Sequence, residues 1–179
     1  MKNILILVGS PRKKGNTSIM ADYVIEHPAL ENYEIKNMIL YDYNIKPCVD
    51  CRSCKKGDMV CVLKDGMEEI YEKIEDAELI IIGSPIYWFG PTAKTKLFLD
   101  RLRPYYANKK MTGKKGALLL PAGSGESDCD LTIEMFKRSF EALGVDFLGA
   151  VTAEAYDAGD VNNNADVTPE LNRLVNKII

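Results

Sequence analysis

Short apolar runs and stretches with helical hydrophobic spacing alternate along the chain. Residues 4–8 form a continuous apolar run that ends at Gly9, which is typical of a strand buried on both faces, and residues 17–30 follow with helical spacing. The segment AELIIIG at residues 77–83 is the clearest buried strand. The pattern also predicts strands at 33–40, 114–121 and 145–152, helices at 66–74, 92–102 and 130–143, and a final helix with Thr168 as N-cap and Pro169 in its first turn.

Five strands alternating with five helices predict the α/β class, with an open, doubly wound parallel sheet covered by helices on both faces. The 179 residues have the length of one domain and contain no repeat, linker or low-complexity tract. In such a sheet, ligands bind where the carboxyl ends of the strands open at a topological switch point. The loops after the first, third and fourth strands are therefore where chemistry is expected.

The charge of the chain argues against two classes of partner. The formal net charge is −3, and charged residues are spread out without a basic stripe interleaved with aromatic residues. Nucleic acid and anionic membrane surfaces are therefore not expected partners. No apolar run approaches the roughly 18 residues of a membrane-spanning helix, and the beginning MKNILILVGS lacks the features of a secretion signal. These features predict a cytoplasmic protein.

Four cysteines lie within one stretch of fourteen residues, Cys48, Cys51, Cys54 and Cys61, with the spacing C-x2-C-x2-C-x6-C. Thiolates this close together can converge on one iron–sulfur cluster, which makes redox chemistry the first hypothesis. Zinc and a metal-free loop of redox-active or inert thiols are alternatives, whereas structural disulfides are not expected in a cytoplasmic protein. Cys129 stands alone and is predicted to be a small buried residue.

The first loop, GSPRKKGNTS, leads from a buried strand directly into a helix. It has neither the GK[ST] ending of a Walker loop nor the G-x-G-x-x-G of dinucleotide-binding units. Ser10, Asn16, Thr17 and Ser18 place short polar side chains around the free N–H groups of a helix N-terminus, which favours a bound phosphate and hence a mononucleotide. The alternative is that Asn16 or Thr17 only caps the helix.

The loop after the third strand, SPIYWFGPT, carries three consecutive aromatic residues between two prolines. Tyr87, Trp88 and Phe89 are costly to expose without a partner, and a flat tricyclic ring against the backbone of residues 85–88 would provide one. We also expect at least one of these side chains to pack under the following helix or in a subunit interface. The loop PAGSGES after the fourth strand supplies Gly123, which allows close backbone approach to the other edge of the ring.

Three segments in order, GSPRKKGNTS, NIKPCVDCRSCKKGDMVCVLKDGM and ELIIIGSPIYWFGPTAKTKLFLDR, resemble the flavodoxin-like NAD(P)H-dependent FMN reductases. The compact cysteine motif resembles specifically their iron–sulfur flavoprotein branch, and the likeness spans residues 2–101 in one register. The resemblance implies a single flavodoxin-like FMN-binding domain over residues 1–179, with a cysteine-rich loop at about 47–64. Beyond Arg101 the similarity fades to the general alternation of the fold.

This resemblance implies two cofactors, FMN and a 4Fe-4S cluster close to it. The implied contacts of the FMN phosphate and ribityl chain are Ser10, Arg12, Asn16, Thr17 and Ser18. Those of the ring are Pro85, Ile86, Tyr87 and Trp88, with Gly123 at the far edge. The implied cluster ligands are Cys48, Cys51, Cys54 and Cys61. The cations around these thiols, whose charge would favour either thiolates or an anionic cluster, are Lys46, Arg52, Lys55 and Lys56.

The mechanism predicted from these cofactors is flavin-centred and uses no catalytic side chain. FMN accepts two electrons from a donor such as NAD(P)H or reduced flavin and can release them singly, whereas a cluster accepts one electron at a time. The chain is therefore predicted to be an electron-transfer oxidoreductase with a small-molecule or protein partner such as a ferredoxin. His27, the only histidine, is expected to be surface or structural, while Arg12, Lys13 and Lys14 are candidates for binding a phosphate of the nicotinamide donor.

A homodimer or homotetramer is expected, because the exposed aromatic and cysteine loops can cover each other across a two-fold axis. Two other functions stay open. One is a cluster-free NAD(P)H-dependent reductase of FMN, quinones or nitro compounds, and the other is a non-enzymatic flavin-binding or thiol redox-sensing protein.

Overall fold

The computed structural model describes residues 2–179, in which one central sheet and one small hairpin contain all the strands. In chain order the strands are β1 (Asn3–Val8), β2 (Glu34–Ile39), β3 (Leu79–Gly83), β4 (Ile86–Tyr87), β5 (Gly90–Pro91), β6 (Lys115–Ala122) and β7 (Asp146–Glu154). The central sheet has the order β2-β1-β3-β6-β7 and every pair in it is parallel. The predicted doubly wound, five-stranded parallel sheet is therefore confirmed.

Helices cover both faces of this sheet, as predicted. They are α1 (Asn16–Ile25), α2 (Met67–Asp76), α3 (Ala93–Asp100), α4 (Arg103–Asn108), α5 (Asp130–Leu143) and α6 (Val167–Ile178). Successive residues of a strand point to opposite faces, so the buried strands supply two cores. Leu5 and Ile80 belong to the core beneath α2, α3 and α5, whereas Ile4 and Ile81 belong to the core beneath α1 and α6. Across residues 2–179, every helix is too short or too polar to cross a lipid bilayer.

The first helix ends earlier than predicted because of a proline. A residue that precedes proline avoids the helical region, and His27, just before Pro28, is extended with φ −68° and ψ 124°. Residues Pro28–Leu30 therefore form a separate 3₁₀ turn, in which the His27 ring accepts a hydrogen bond from the N–H of Ala29 at 3.2 Å. The other ring nitrogen of His27 lies 3.0 Å from Oδ1 of Asn172 in α6, which fits the predicted structural role.

Two other boundaries also differ from the predicted ones. Pro104 does not prevent a further helix, because it occupies the first turn of α4, where proline is tolerated. The last helix begins at Val167, so the assignment of Thr168 as its N-cap is wrong. Asn164 fixes the turn that precedes this helix, since its Oδ1 accepts the N–H of Asp166 at 3.1 Å.

Candidate functional site

The loop between β1 and α1 forms a polar cradle at the carboxyl edge of the sheet. Its entry is fixed by the N–H of Gly9, which donates to the carbonyl of Gly83 at 2.7 Å. Thr17 and Ser18 in the first turn of α1 are buried, and within residues 2–179 neither hydroxyl has a hydrogen-bond partner. A buried hydroxyl without a partner is unfavourable, whereas an anion at this helix N-terminus would accept from the Thr17 hydroxyl, which lines the adjoining cavity, and from free N–H groups. The cradle therefore fits a phosphate group.

Asn16 has a role that was not predicted, in addition to lining the cavity at the start of α1. The N-cap of α1 is Gly15, and in the described structure no side chain caps this helix, so the capping alternative is wrong. The Asn16 amide donates to the carbonyl of Asp157 at 2.8 Å and accepts the N–H of Gly159 at 2.8 Å. Its side chain thus ties the loop after β7 to the start of α1.

The three predicted loops line one cavity of about 520 Å³, called the flavin cavity below. The predicted FMN contacts that line it are Ser10, Arg12, Asn16, Thr17, Pro85, Ile86, Tyr87 and Gly123, whereas Ser18 and Trp88 do not. Tyr156 and Asp157, which sequence reasoning missed, also line it because Asn16 holds their loop against α1. The ring of Tyr156 lies close to Gly123, where a Cβ atom would approach its Cδ2 to 3.1 Å.

The predicted aromatic loop is a hairpin formed by β4 and β5, with Trp88 and Phe89 as its two-residue turn. Both turn residues adopt positive φ, 52° and 62°, which is the left-handed conformation that Asn-Gly usually supplies in hairpins. The side chains of Tyr87, Trp88 and Phe89 are exposed, with 46%, 95% and 59% of their surface accessible. The expectation that one of them packs under the following helix is therefore wrong, while packing in a subunit interface stays a prediction.

A buried polar network at the start of α3 locks the hairpin to the phosphate loop. The Thr92 hydroxyl donates to the carbonyl of Gly9 at 2.6 Å, and the Thr92 N–H donates to the Ser84 hydroxyl at 3.0 Å. The Thr95 hydroxyl completes the network, 3.0 Å from Thr92 Oγ1 and 3.3 Å from Ser84 Oγ. Gly9 is required here, because a Cβ atom would lie 1.8 Å from the Thr95 hydroxyl. This network therefore fixes the phosphate loop and the hairpin relative to each other.

The four clustered cysteines line one small cavity together with Arg103. Cys48 and Cys51 are exposed, Cys54 and Cys61 are half-buried, and all five cysteines of the described chain are free thiols, with Cys129 buried as predicted. A set of four thiols is chemically suited to an iron–sulfur cluster. Among residues 2–179, however, no three Cys, His, Asp or Glu side chains are gathered closely enough to hold a metal ion.

Arg103 adds a cation that was not predicted to the surroundings of these thiols, where the predicted Arg52 also lines the cavity. Arg103 of α4 points a guanidinium nitrogen at Cys48 Sγ, 3.9 Å away, and lies 2.7 Å from Asp50 Oδ1. The positive charge of Arg103 holds the pKa of Asp50 below its usual range. Hydrogen bonding from Ser53 lowers the pKa of the Cys51 thiol, whereas burial and the nearby Cys61 raise that of Cys54. Sequence reasoning missed Arg103 because it lies 55 positions from Cys48.

A buried ion pair closes the base of the cysteine segment, residues 46–65. Arg101 and Asp65, whose side chains are 1% and 0% exposed, are joined by two hydrogen bonds of 2.6 and 3.2 Å. Arg101 also donates to the carbonyl of Lys46 at 2.8 Å, while Asp65 accepts the N–H of Lys46 at 2.9 Å. The two ends of the segment are thereby held at one point, the end of α3.

The fold is flavodoxin-like, and its cavity lies at the carboxyl edge of the sheet, where such folds bind their ligands. Residues 2–157 match the family model described as NADPH-dependent FMN reductase, so the chain belongs to that family. It is accordingly a flavin-dependent oxidoreductase, and FMN is the cofactor of its family. These findings confirm the predicted family and enzyme class.

Individual relatives carry two kinds of name. An iron–sulfur flavoprotein of Methanocaldococcus jannaschii is 31% identical over 76% of this chain and 70% of its own. A second, from Archaeoglobus fulgidus, is 35% identical over 72% of this chain but only 58% of its own length. A Bacillus subtilis protein described as an NAD(P)H-dependent FMN-containing oxidoreductase is 28% identical over 97% of both chains.

Solved structures support the fold. The Trp repressor binding protein of Bacillus subtilis has a TM-score of 0.72 with 22% identity, over 96% of both chains. At this level of identity, the likeness concerns the fold, and it agrees with the flavodoxin-like topology described above.

Proposed function

We propose that the protein is an FMN-dependent oxidoreductase that passes electrons between a two-electron donor, such as NAD(P)H or reduced flavin, and a one-electron partner through a 4Fe-4S cluster. The ligands proposed for the cluster are Cys48, Cys51, Cys54 and Cys61. The observation that carries the proposal is that these four thiols share one cavity on a chain whose fold and family bind FMN. The iron–sulfur flavoproteins among its relatives support it.

The proposed work of the protein at the flavin is to bind and orient it. When bound, FMN supplies both hydride chemistry and single-electron chemistry. Thr17 would donate to its phosphate, with Arg12 at the rim of the same cavity. Pro85, Ile86 and Tyr87 would support one side of the ring, while Gly123 allows the backbone to approach it closely. These contacts would hold the flavin without an acid–base side chain.

The proposed work at the cysteine segment is to supply four sulfur ligands and to balance their charge. Arg103 contacts Cys48, and the segment itself carries the cations Lys46, Arg52, Lys55 and Lys56. A positive surrounding stabilises thiolates as well as an anionic cluster. An external one-electron partner, such as a ferredoxin, would dock here, and a homodimer or homotetramer would cover the exposed hairpin.

Anaerobic purification followed by iron and sulfide assays tests the cluster. We expect about four irons and four sulfides per chain after reconstitution. Cys54→Ser is expected to lose most of this iron, whereas Cys129→Ser, which changes a buried thiol outside the segment, should keep it. A flavin spectrum without iron, unchanged by anaerobic reconstitution, would rule out the cluster and leave the flavin site standing.

A cluster-free NAD(P)H-dependent reductase is the second candidate. The Bacillus subtilis relative with this kind of name matches the chain over nearly the full length of both, unlike the iron–sulfur relatives. In that case iron-free protein would oxidise NADH or NADPH with a quinone or nitro compound as acceptor. A Cys54→Ser variant would then be as active as the wild type.

The strained hairpin gives a separate prediction. Replacing Trp88 with Asn and Phe89 with Gly together should stabilise the flavin-free protein by about 1–2 kcal/mol, because both positions have positive φ. The same change should leave FMN affinity at the wild-type value, since neither side chain lines the flavin cavity. Urea unfolding and fluorescence titration with FMN measure stability and affinity. The matched control, Trp88→Ala with Phe89→Ala, removes the rings but keeps the backbone strain, so it should gain no stability.

A further inference from the structure

Helix α3 is fixed at both ends by buried polar side chains. Its first end joins the loops of the flavin cavity, because Thr92 binds the carbonyl of Gly9 and the hydroxyl of Ser84. Its other end is Arg101, which binds the cysteine segment. The helix has eight residues and hence a length of about 12 Å. Two regions that are far apart in the sequence are thus connected by one short rigid element.

The contacts at Arg101 hold both ends of the cysteine segment together. One guanidinium nitrogen reaches the carbonyl of Lys46 and the carboxylate of Asp65, at 2.8 and 2.6 Å. Asp65 in turn accepts the backbone N–H groups of Lys46 and Met67, at 2.9 and 3.0 Å. Both charges are buried and paired, and removing either one leaves the other uncompensated. Buried hydrogen bonds therefore attach both ends of the segment to the end of α3.

The backbone between these ends requires such an attachment. Asp50, Arg52 and Met59 all have positive φ, between 49° and 62°, although none is glycine. Left-handed conformations of this kind persist only where the surrounding structure enforces them. The contact of Arg103 with Cys48 and a hydrogen bond from Asn108 to the carbonyl of Met59 add a second line of support from α4.

We propose that Arg101 and Asp65 are positioning residues that keep the cysteine segment, residues 46–65, at a fixed place relative to the flavin cavity through α3. As far as the redox role of the segment is concerned, the inference rests on the proposed function. The pair itself touches neither the flavin cavity nor the cavity of the four thiols. It therefore acts through the placement of Cys48, Cys51, Cys54 and Cys61.

The test compares two isosteric changes, Asp65→Asn and Asp100→Asn. Asp100 lies next to Arg101 in sequence, but its carboxylate is half-exposed and pairs with the exposed Lys96. Thiol alkylation is followed by mass spectrometry on flavin-bound protein from which iron has been removed, so that the segment is probed without metal. We expect its four thiols to react at least about tenfold faster in Asp65→Asn than in wild type, and at the wild-type rate in Asp100→Asn.

Two internal measures separate local release of the segment from general unfolding. Cys129 is buried, and its thiol donates to the carbonyls of Leu120 and Gly125, outside the segment, so it should stay unreactive in both variants. The FMN dissociation constant should also be unchanged, because the polar network at the start of α3 is intact. If Cys129 becomes reactive in Asp65→Asn, Asp65→Glu replaces it, since this variant keeps the charge and displaces it by one methylene group.

A spectroscopic readout on reconstituted protein completes the test. Asp65→Asn should change the EPR line shape or the reduction potential of the cluster, while Asp100→Asn should change neither. Alkylation rates and spectra in Asp65→Asn that equal those of wild type would overturn the positioning role. Failure of wild-type protein to take up iron would overturn the proposed cluster, but the alkylation comparison would still decide the role of the pair.

Discussion

Replacing Arg101 with methionine is expected to lower the free energy of unfolding by about 3–5 kcal/mol, because the Asp65 carboxylate would remain buried without its counter-charge. The variant would also lose the hydrogen bond that Arg101 donates to the carbonyl of Lys46. This is the largest stability effect expected from a single side chain in the cysteine region.

Urea unfolding of a double-mutant cycle measures this effect. Asp65→Asn with Arg101→Met should recover a large part of the loss, since no buried charge is then left unpaired. Lys96→Gln serves as control, because the exposed Lys96–Asp100 pair contributes less than about 1 kcal/mol. A single Arg101→Met variant as stable as this control would contradict the importance of the pair.

The same pair predicts a pH dependence. Burial acts to raise the pKa of Asp65, but hydrogen bonds from Arg101 and from two backbone N–H groups outweigh it, so the pKa lies below the usual value of 3.8. A carboxylate with a lowered pKa in the folded state stabilises the fold above its unfolded pKa, and this stabilisation is lost as the pH falls through the folded value. Unfolding experiments below about pH 4 should therefore show a steeper loss of stability in wild type than in Asp65→Asn.

Replacing Thr17 with valine is expected to have opposite effects on FMN affinity and on the stability of the flavin-free protein. The variant keeps the shape of the side chain and removes a buried hydroxyl that has no partner in residues 2–179. Loss of a hydrogen bond to a charged phosphate should weaken FMN binding about 10- to 100-fold. Loss of an unsatisfied hydroxyl should stabilise the flavin-free protein by about 1 kcal/mol.

Two controls make this prediction specific. Riboflavin lacks the phosphate, so its affinity should be the same for wild type and Thr17→Val. Thr132 in α5 has an equally buried hydroxyl that lacks a partner in the described chain, but it lies outside the flavin cavity. Thr132→Val should therefore stabilise the protein and leave FMN binding unchanged. An equal loss of riboflavin and FMN affinity in Thr17→Val would place the phosphate elsewhere.

The alternation of apolar runs and amphipathic stretches was sufficient to predict the sheet, five of the six helices and the three loops at its carboxyl edge. This is because a strand such as Leu79–Gly83, buried on both faces, must be continuously apolar. The family likeness was also contained in local segments, the phosphate loop, the cysteine motif and the aromatic loop. Patterns of this kind depend on neighbouring residues, so the sequence by itself determined them.

Contacts between distant residues were decided only by the tertiary structure. Asn16 binds the carbonyl of Asp157, 141 positions away, and Arg101 binds Asp65 across 36 positions. Arg103 reaches Cys48 because α4 follows α3 so closely, which no local pattern indicates. In each case, the partner of a polar side chain depends on which elements the fold packs together, and that choice follows from burying the apolar faces of the whole chain.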